Sequence, residues 1–220
     1  MIRHLYGEQS SSSVLVQMVD DHDLSVMDSE VRLIREMAGK DFLLIAMKVG
    51  NWNHDLTPWG AKAVFGSEDF GDGAEETLKA VLEELRLYDR RKKFYIGGYS
   101  LAGLFALWSV FRTDIFSGAA CASPSVWYPG FSDFIEDQNL HTDSVYLSLG
   151  DREEKTRNSV MATVGEKIRN THALLRSRGM SCTLEWNPGN HFRDPDLRTA
   201  KAFAWVMRND GERSSYELER

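Results

Sequence analysis

Ser100 stands in Gly97-Gly98-Tyr99-Ser100-Leu101-Ala102-Gly103, between two apolar segments of different character. Phe94-Tyr95-Ile96 before it is a short run of strand type. Leu101 to Phe111 after it carries Leu, Ala, Phe and Trp on nearly every face, as a buried helix does. A serine on the sharp turn between such elements fits a nucleophile elbow, in which the hydroxyl is lifted out of the sheet at the positive end of a helix. The turn crowds the positions two before and two after the nucleophile, so both must be small. Gly98 and Ala102 occupy them, with Ala102 standing where the G-x-S-x-G pattern has its second glycine.

A serine nucleophile needs a base, and the base needs an orienting acid. In the chain order Ser, acid, His, the histidine comes last, which leaves His141, His172 and His191. His172 falls inside a predicted helix, and His141 precedes the strand that should deliver the acid. His191 lies in Pro188-Gly189-Asn190-His191-Phe192, a turn directly after a strand, where a loop can swing an imidazole over the sheet edge. Val145 to Leu149 runs into Gly150-Asp151-Arg152-Glu153-Glu154, so the acid is one of Asp151, Glu153 and Glu154. Two backbone N–H groups should form an oxyanion hole. One is that of Leu101; the other is expected from Asp20 to Asp23, with His22 as the nearest choice. The same cluster also suits a metal, but four adjacent residues cannot all face one ion, and no metal is expected.

The elements that must position these groups follow from hydrophobic periodicity. Strands are predicted at Val14 to Met18, Phe42 to Met47, 94–98, Gly118 to Ala122, Val145 to Leu149 and Cys182 to Trp186. Helices are predicted from a cap at Ser25 or Asp28 to near Gly39, at Ala74 to Leu87, 101–111, Val160 to Arg176 and Pro195 to Met207. Strands alternating with helices give a mainly parallel sheet with helices on both faces. Residues 1–209 read as one domain and 210–220 as a polar, frayed tail. The connection from Ser123 to Thr142 is the place for a cap over the site. It can hold a short helix but no large lid domain.

The chain has 220 residues and a formal charge of -7, with no basic stripe to neutralise phosphates, so no nucleic-acid partner is expected. Cys121 and Cys182 sit in apolar strand-like runs and suit a reducing compartment. Met1 to Gly7 holds no apolar core of signal-peptide length, and no later run approaches a membrane span. These features predict a cytoplasmic protein without a membrane partner; its oligomeric state is left open.

Beyond these residues, the chain resembles the esterase D-like family of α/β hydrolases, which includes enterochelin esterases, S-formylglutathione hydrolases, feruloyl esterases and mycolyltransferases. The resemblance rests on Val19-Asp20-Asp21-His22, Asp55-Leu56-Thr57-Pro58, Gly98-Tyr99-Ser100-Leu101-Ala102-Gly103, Ser123-Pro124-Ser125-Val126-Trp127, Gly150-Asp151-Arg152-Glu153 and Gly189-Asn190-His191-Phe192. It implies the α/β-hydrolase fold, a small-molecule ester or thioester substrate and no cofactor. It places the acid at Glu153, the third position after the glycine, where the longer side chain can also curl back to the sheet edge. It implies that Trp127 flanks the substrate, and Tyr99, beside the nucleophile, is expected there too. Trp52 replaces an arginine common in enterochelin-esterase-like members, and Asp20-Asp21 replaces the usual Asp-Gly. Both departures favour a neutral acyl or aryl ester over an anionic siderophore.

Overall fold

Apolar runs without alternation make sense only for strands covered on both faces, and five of the seven strands here are of that kind. The computed structural model describes residues 1–209; the expected tail at 210–220 lies outside the described residues. In chain order the elements are β1 (Ile2–Gly7), β2 (Ser13–Val19), α1 (Asp21–Ala38), β3 (Leu43–Lys48), α2 (Trp52–Asp55), α3 (Ala74–Leu85) and β4 (Lys93–Tyr99). There follow α4 (Leu101–Ser109), β5 (Phe116–Ala122), α5 (Phe131–Asp137), β6 (Ser144–Gly150), α6 (Val164–Ser177), β7 (Ser181–Asn187) and α7 (Pro195–Arg208).

The strands form one sheet in the order β1-β3-β2-β4-β5-β6-β7. All neighbours are parallel except the β1–β3 pair at one edge. Alternate side chains of each inner strand enter different cores. Val14, Val16, Phe94 and Ile96 pack with residues of α3, α4, α5 and α6, while Leu15, Tyr95 and Ala120 pack with α1 and α7. The central position of β4 puts its carboxyl end, and therefore Ser100, in the middle of the sheet's upper edge.

Several elements depart from the expectations, the single-turn α2 among them. β1 was not foreseen: Ile2 and Leu5 are exposed and only Tyr6 joins a core, so its sequence carries little apolar period. The first helix starts well before Ser25, because Asp20 caps it. The Asp20 side chain accepts from the Asp23 N–H and the Asp23 side chain accepts from the Asp20 N–H, a reciprocal capping box. The Asp20-x-x-Asp23 spacing is a signal for this start. The sixth helix is preceded by a separate short 3-10 turn, Met161–Thr163, so its first residues do not continue one regular helix.

The Ser123–Thr142 connection does hold a short helix, α5. Phe131 and Ile135 turn into the core, however, so α5 is folded away as packing. Cys121 and Cys182 are free and buried; burial pushes both thiols up, Cys182 to about 12, so they are protonated packing residues. Among the described residues no helix is long and apolar enough to cross a membrane.

Candidate active site

The chain reverses at the end of β4 through Ser100, whose φ of 58° and ψ of -120° lie where a non-glycine residue is strained. Neighbouring backbone holds it there: the Ser100 N–H donates to Ala122 O at 3.2 Å, and its carbonyl accepts from Leu104 and Ser125 N–H at 3.0 and 3.1 Å. A side chain at Gly98, whose φ is 156°, would place its Cβ 2.6 Å from the Ala102 Cβ. Because Ala102 fills one of the two small positions of the elbow, Gly98 has no freedom to be anything else. Leu101 opens α4, so its N–H has no intrahelical acceptor and adjoins the serine at the positive end of the helix.

Glu153, His191 and Ser100 form a hydrogen-bonded chain. His191 Nε2 lies 3.0 Å from Ser100 Oγ, and His191 Nδ1 lies 2.7 Å from Glu153 Oε2. Strand register explains the meeting: Gly150 of β6 pairs with Asn187 of β7, so the segments that follow, carrying Glu153 and His191, leave the sheet side by side. Gly150 must be small, because a Cβ there would sit 2.4 Å from Gly189 O. Glu153 is 8% exposed. Burial alone would raise its pKa, but hydrogen bonds from His191, Ser123 and the Gly150 N–H outweigh that and hold it below the ordinary carboxylate value. The other two candidate acids are occupied elsewhere. Asp151 accepts from the Gly189 N–H at 2.8 Å, and Glu154 pairs with Arg169 at 3.1 Å.

Sequence reasoning missed Arg198. It lies in the first turn of α7, 1% exposed, and its guanidinium contacts Glu153 Oε1 at 2.8 Å. The signal was present: Arg198 shares a helical face with Ala202 and Val206, so the period of α7 puts a cation among core positions.

Tyr99, expected against substrate, turns instead to the histidine loop. Its hydroxyl donates to His191 O at 2.7 Å, and its ring packs on the imidazole with centroids 5.1 Å apart. Trp127 is buried but lines a cavity of about 260 Å³ that also touches Glu153 and His191. Met161, Val164 and Phe192 complete its apolar wall, and Arg152 and Lys155 border it. The far wall is thus the segment 152–164, not the α5 region. Neither cation forms an ion pair among the described residues, and Phe192 is 86% exposed beside His191.

His22 occupies the second position of α1, exposed. Gln17 of β2 pairs with Gly97 of β4, so the start of α1 leaves the sheet at the level of Ser100. First-turn N–H groups there have no intrahelical acceptor. The neighbouring carboxylates have work of their own: Asp20 and Asp23 cap the helix, and Asp21 binds Lys48 at 2.6 Å. Asp55 ties down the loop after β3, accepting from the Gly50 and Asn51 N–H groups at 2.9 and 3.0 Å.

A largely parallel sheet, a strand-to-helix serine at its centre and acid and histidine on the following strand ends define the α/β-hydrolase fold. Among solved structures the chain is similar to the siderophore hydrolase EstA from Aspergillus nidulans, at 18% identity and TM-score 0.72, covering 94% of this chain and 89% of that one. It is also similar to an IroE-like serine hydrolase from Shewanella oneidensis, at 11% identity and TM-score 0.75, covering 94% and 75%. A third similar structure is the enterobactin esterase from Shigella flexneri, at 12% identity and TM-score 0.65, covering 94% and 55%. No protein-family model matches the chain. Over 153 residues, 64% of its length, it is 22% identical to an uncharacterised protein, YbbA, from Bacillus subtilis (strain 168), and the match spans 61% of that relative.

Proposed function

We propose that this protein is a serine carboxylesterase acting on small acyl or aryl esters. The observation that carries the reading is the Glu153–His191–Ser100 chain, with links of 2.7 and 3.0 Å, built on a strained elbow. Ser100 Oγ attacks the acyl carbonyl while His191 Nε2 takes its proton. The carbonyl oxygen gains negative charge against the Leu101 N–H, with a first-turn N–H of α1, assigned to His22, as the second donor. His191 then protonates the leaving alkoxide. Water, deprotonated by the same imidazole, cleaves the acyl-enzyme and frees the acid. Glu153 keeps Nδ1 protonated and stabilises the imidazolium. Because only neutral imidazole accepts the proton, kcat/KM has an acidic limb. Trp127, Met161, Val164 and Phe192 supply an apolar wall for the ester's non-reacting group.

The test is labelling by a fluorophosphonate probe beside turnover of p-nitrophenyl esters of increasing chain length, aryl esters and thioesters. Labelling at Ser100, lost together with turnover in Ser100→Ala, is expected. Full activity in that variant would sink the proposal.

A second reading, a siderophore esterase, draws on Arg152 and Lys155 at the cavity, which would favour an anionic ester. Asp21, counted against such a substrate at the sequence level, is neutralised by Lys48. The fold is shared with a siderophore hydrolase and an enterobactin esterase. Preference for a catecholate or hydroxamate ester over p-nitrophenyl butyrate, lost when Arg152 and Lys155 become alanine, would select it.

A further inference from the structure

The loop that carries His191 has no helix or strand of its own from Pro188 to Arg193. Its imidazole must nevertheless sit within hydrogen-bond reach of two partners at once. One side chain links the parts that achieve this. Arg198 Nη1 donates to Glu153 Oε1 at 2.8 Å, to the Tyr99 hydroxyl at 3.0 Å and to Ser123 Oγ at 3.2 Å. Its Nη2 donates to the carbonyls of Pro188 and Asn190, both at 3.0 Å. The Tyr99 hydroxyl in turn donates to His191 O. The carbonyls of residues 188, 190 and 191 are therefore all held by a single guanidinium and the phenol it binds.

A buried cation is costly unless it is paired and its protons are used. A planar fork suits several acceptors in fixed directions, whereas a lysine is a compact point charge. If the position served only to fill space, an apolar residue would do it without desolvating a charge.

We infer that Arg198 is a positioning residue: by clamping the 188–191 loop to Glu153 and to β4, it sets His191 against Ser100 and the acid together. This rests on the esterase reading above. The charge has a second consequence. Titratable and charged groups on the surrounding elements include Tyr99 from β4, Tyr146 from β6, Asp151 and Glu153 from the following loop, Glu185 with Lys201 between β7 and α7, and Arg193 and Asp194 beside the histidine. Among these the only carboxylate in contact with it is Glu153. Tyr99 is neutral, because burial pushes its hydroxyl up to about 12. Without Arg198, Glu153 would face His191 as an uncompensated anion, and protonated imidazole would gain from it.

The experiment compares wild type with Arg198→Gln and Arg198→Lys, each checked for folding by thermal melting. In Arg198→Gln kcat is expected to fall by about 100-fold or more with KM within about threefold, since misplacement of about an ångström costs that much. The acidic limb of kcat/KM should move up by about one pH unit. Arg198→Lys keeps the charge and loses the fork, so it should restore the limb while recovering only part of kcat. Folded variants with wild-type kcat and an unmoved limb would overturn the inference.

If neither variant folds, Tyr99→Phe removes the hydroxyl between Arg198 and His191 O. It should lower kcat about tenfold at unchanged KM; unchanged kcat there overturns the inference as well. A wild type with neither turnover nor Ser100 labelling defeats the esterase reading instead. A deshielded Nδ1 proton of His191, expected in the wild-type NMR spectrum from the contact to Glu153, still decides the role of Arg198 then: its loss in Arg198→Gln supports the inference and its persistence overturns it.

Discussion

Replacing Glu153 by glutamine keeps the shape of the side chain and changes only which atoms can accept. The Oε1 position takes three donors, the Ser123 hydroxyl and Gly150 N–H at 2.7 Å and Arg198 Nη1 at 2.8 Å. The amide oxygen must stay there, because an NH₂ would face the Gly150 N–H and the Arg198 cation, neither of which can accept. The NH₂ then faces His191 Nδ1 across the present 2.7 Å contact and forces that nitrogen to accept. The ring's proton moves to Nε2, which points at Ser100 Oγ from 3.0 Å and can no longer take the serine proton. A wrong tautomer of this kind lowers kcat by about 10⁴-fold in a serine triad, or about 5 kcal/mol of activation free energy. The same change strips a buried cation of its counter-charge. Both side chains are under 5% exposed, so stability should fall by roughly 3–5 kcal/mol. The assay is kcat on a p-nitrophenyl ester at a temperature where melting shows the variant folded. Asp151→Asn and Glu154→Gln serve as controls expected within about tenfold of wild type. A folded Glu153→Gln enzyme keeping more than about a tenth of wild-type kcat would refute the tautomer argument. A crippled Asp151→Asn beside it would move the acid to Asp151.

Other expectations concern stability. Burial raises Asp23 from 3.8 to about 6, so the folded state holds that proton more tightly than the unfolded chain. The stabilisation is complete below the lower value and is lost as pH rises through about 6. Asp23→Asn keeps an oxygen for the Asp20 N–H, and should be more stable than wild type at pH ~8, by at most about 3 kcal/mol, but not at pH ~4. Equal denaturant midpoints at both pH values would contradict this. Gly97→Ala would put a Cβ 2.6 Å from the tip of the Phe203 ring and 2.8 Å from the Ala120 Cβ, forcing α7 off the sheet. A loss of roughly 1–3 kcal/mol in chemical denaturation is expected; an unchanged midpoint would show that the contact yields freely.

How much of this was legible beforehand depended on whether the signal is local. The strands from β2 to β6 are mainly apolar runs, and a run buried on both faces declares itself without knowledge of its neighbours. The elbow was equally readable, because its small residues answer to crowding within a few positions of Ser100. β1 was hidden, since an edge strand with one residue in the core has nothing periodic to show. The start of α1 was misplaced because Asp20 and Asp23 were read for chemistry when their hydrogen bonds belong to capping.

The site divides along the same line. Chain order and strand ends pointed to Ser100 and His191. Among the carboxylates of 151–154, though, side-chain reach and the resemblance inclined the choice to Glu153 and still left Asp151 open. The β6–β7 register, with the crossing of residue 150 under residue 189, turned Glu153 inward and left Asp151 and Glu154 to other partners. Tyr99 and Arg198 lie 99 residues apart and touch only because α7 packs back across β4 and β5. A sequence states which groups are available for such a contact. Which of them share one hydrogen-bond network is decided by strand register and helix packing, because that geometry belongs to the folded chain and to no local segment of it.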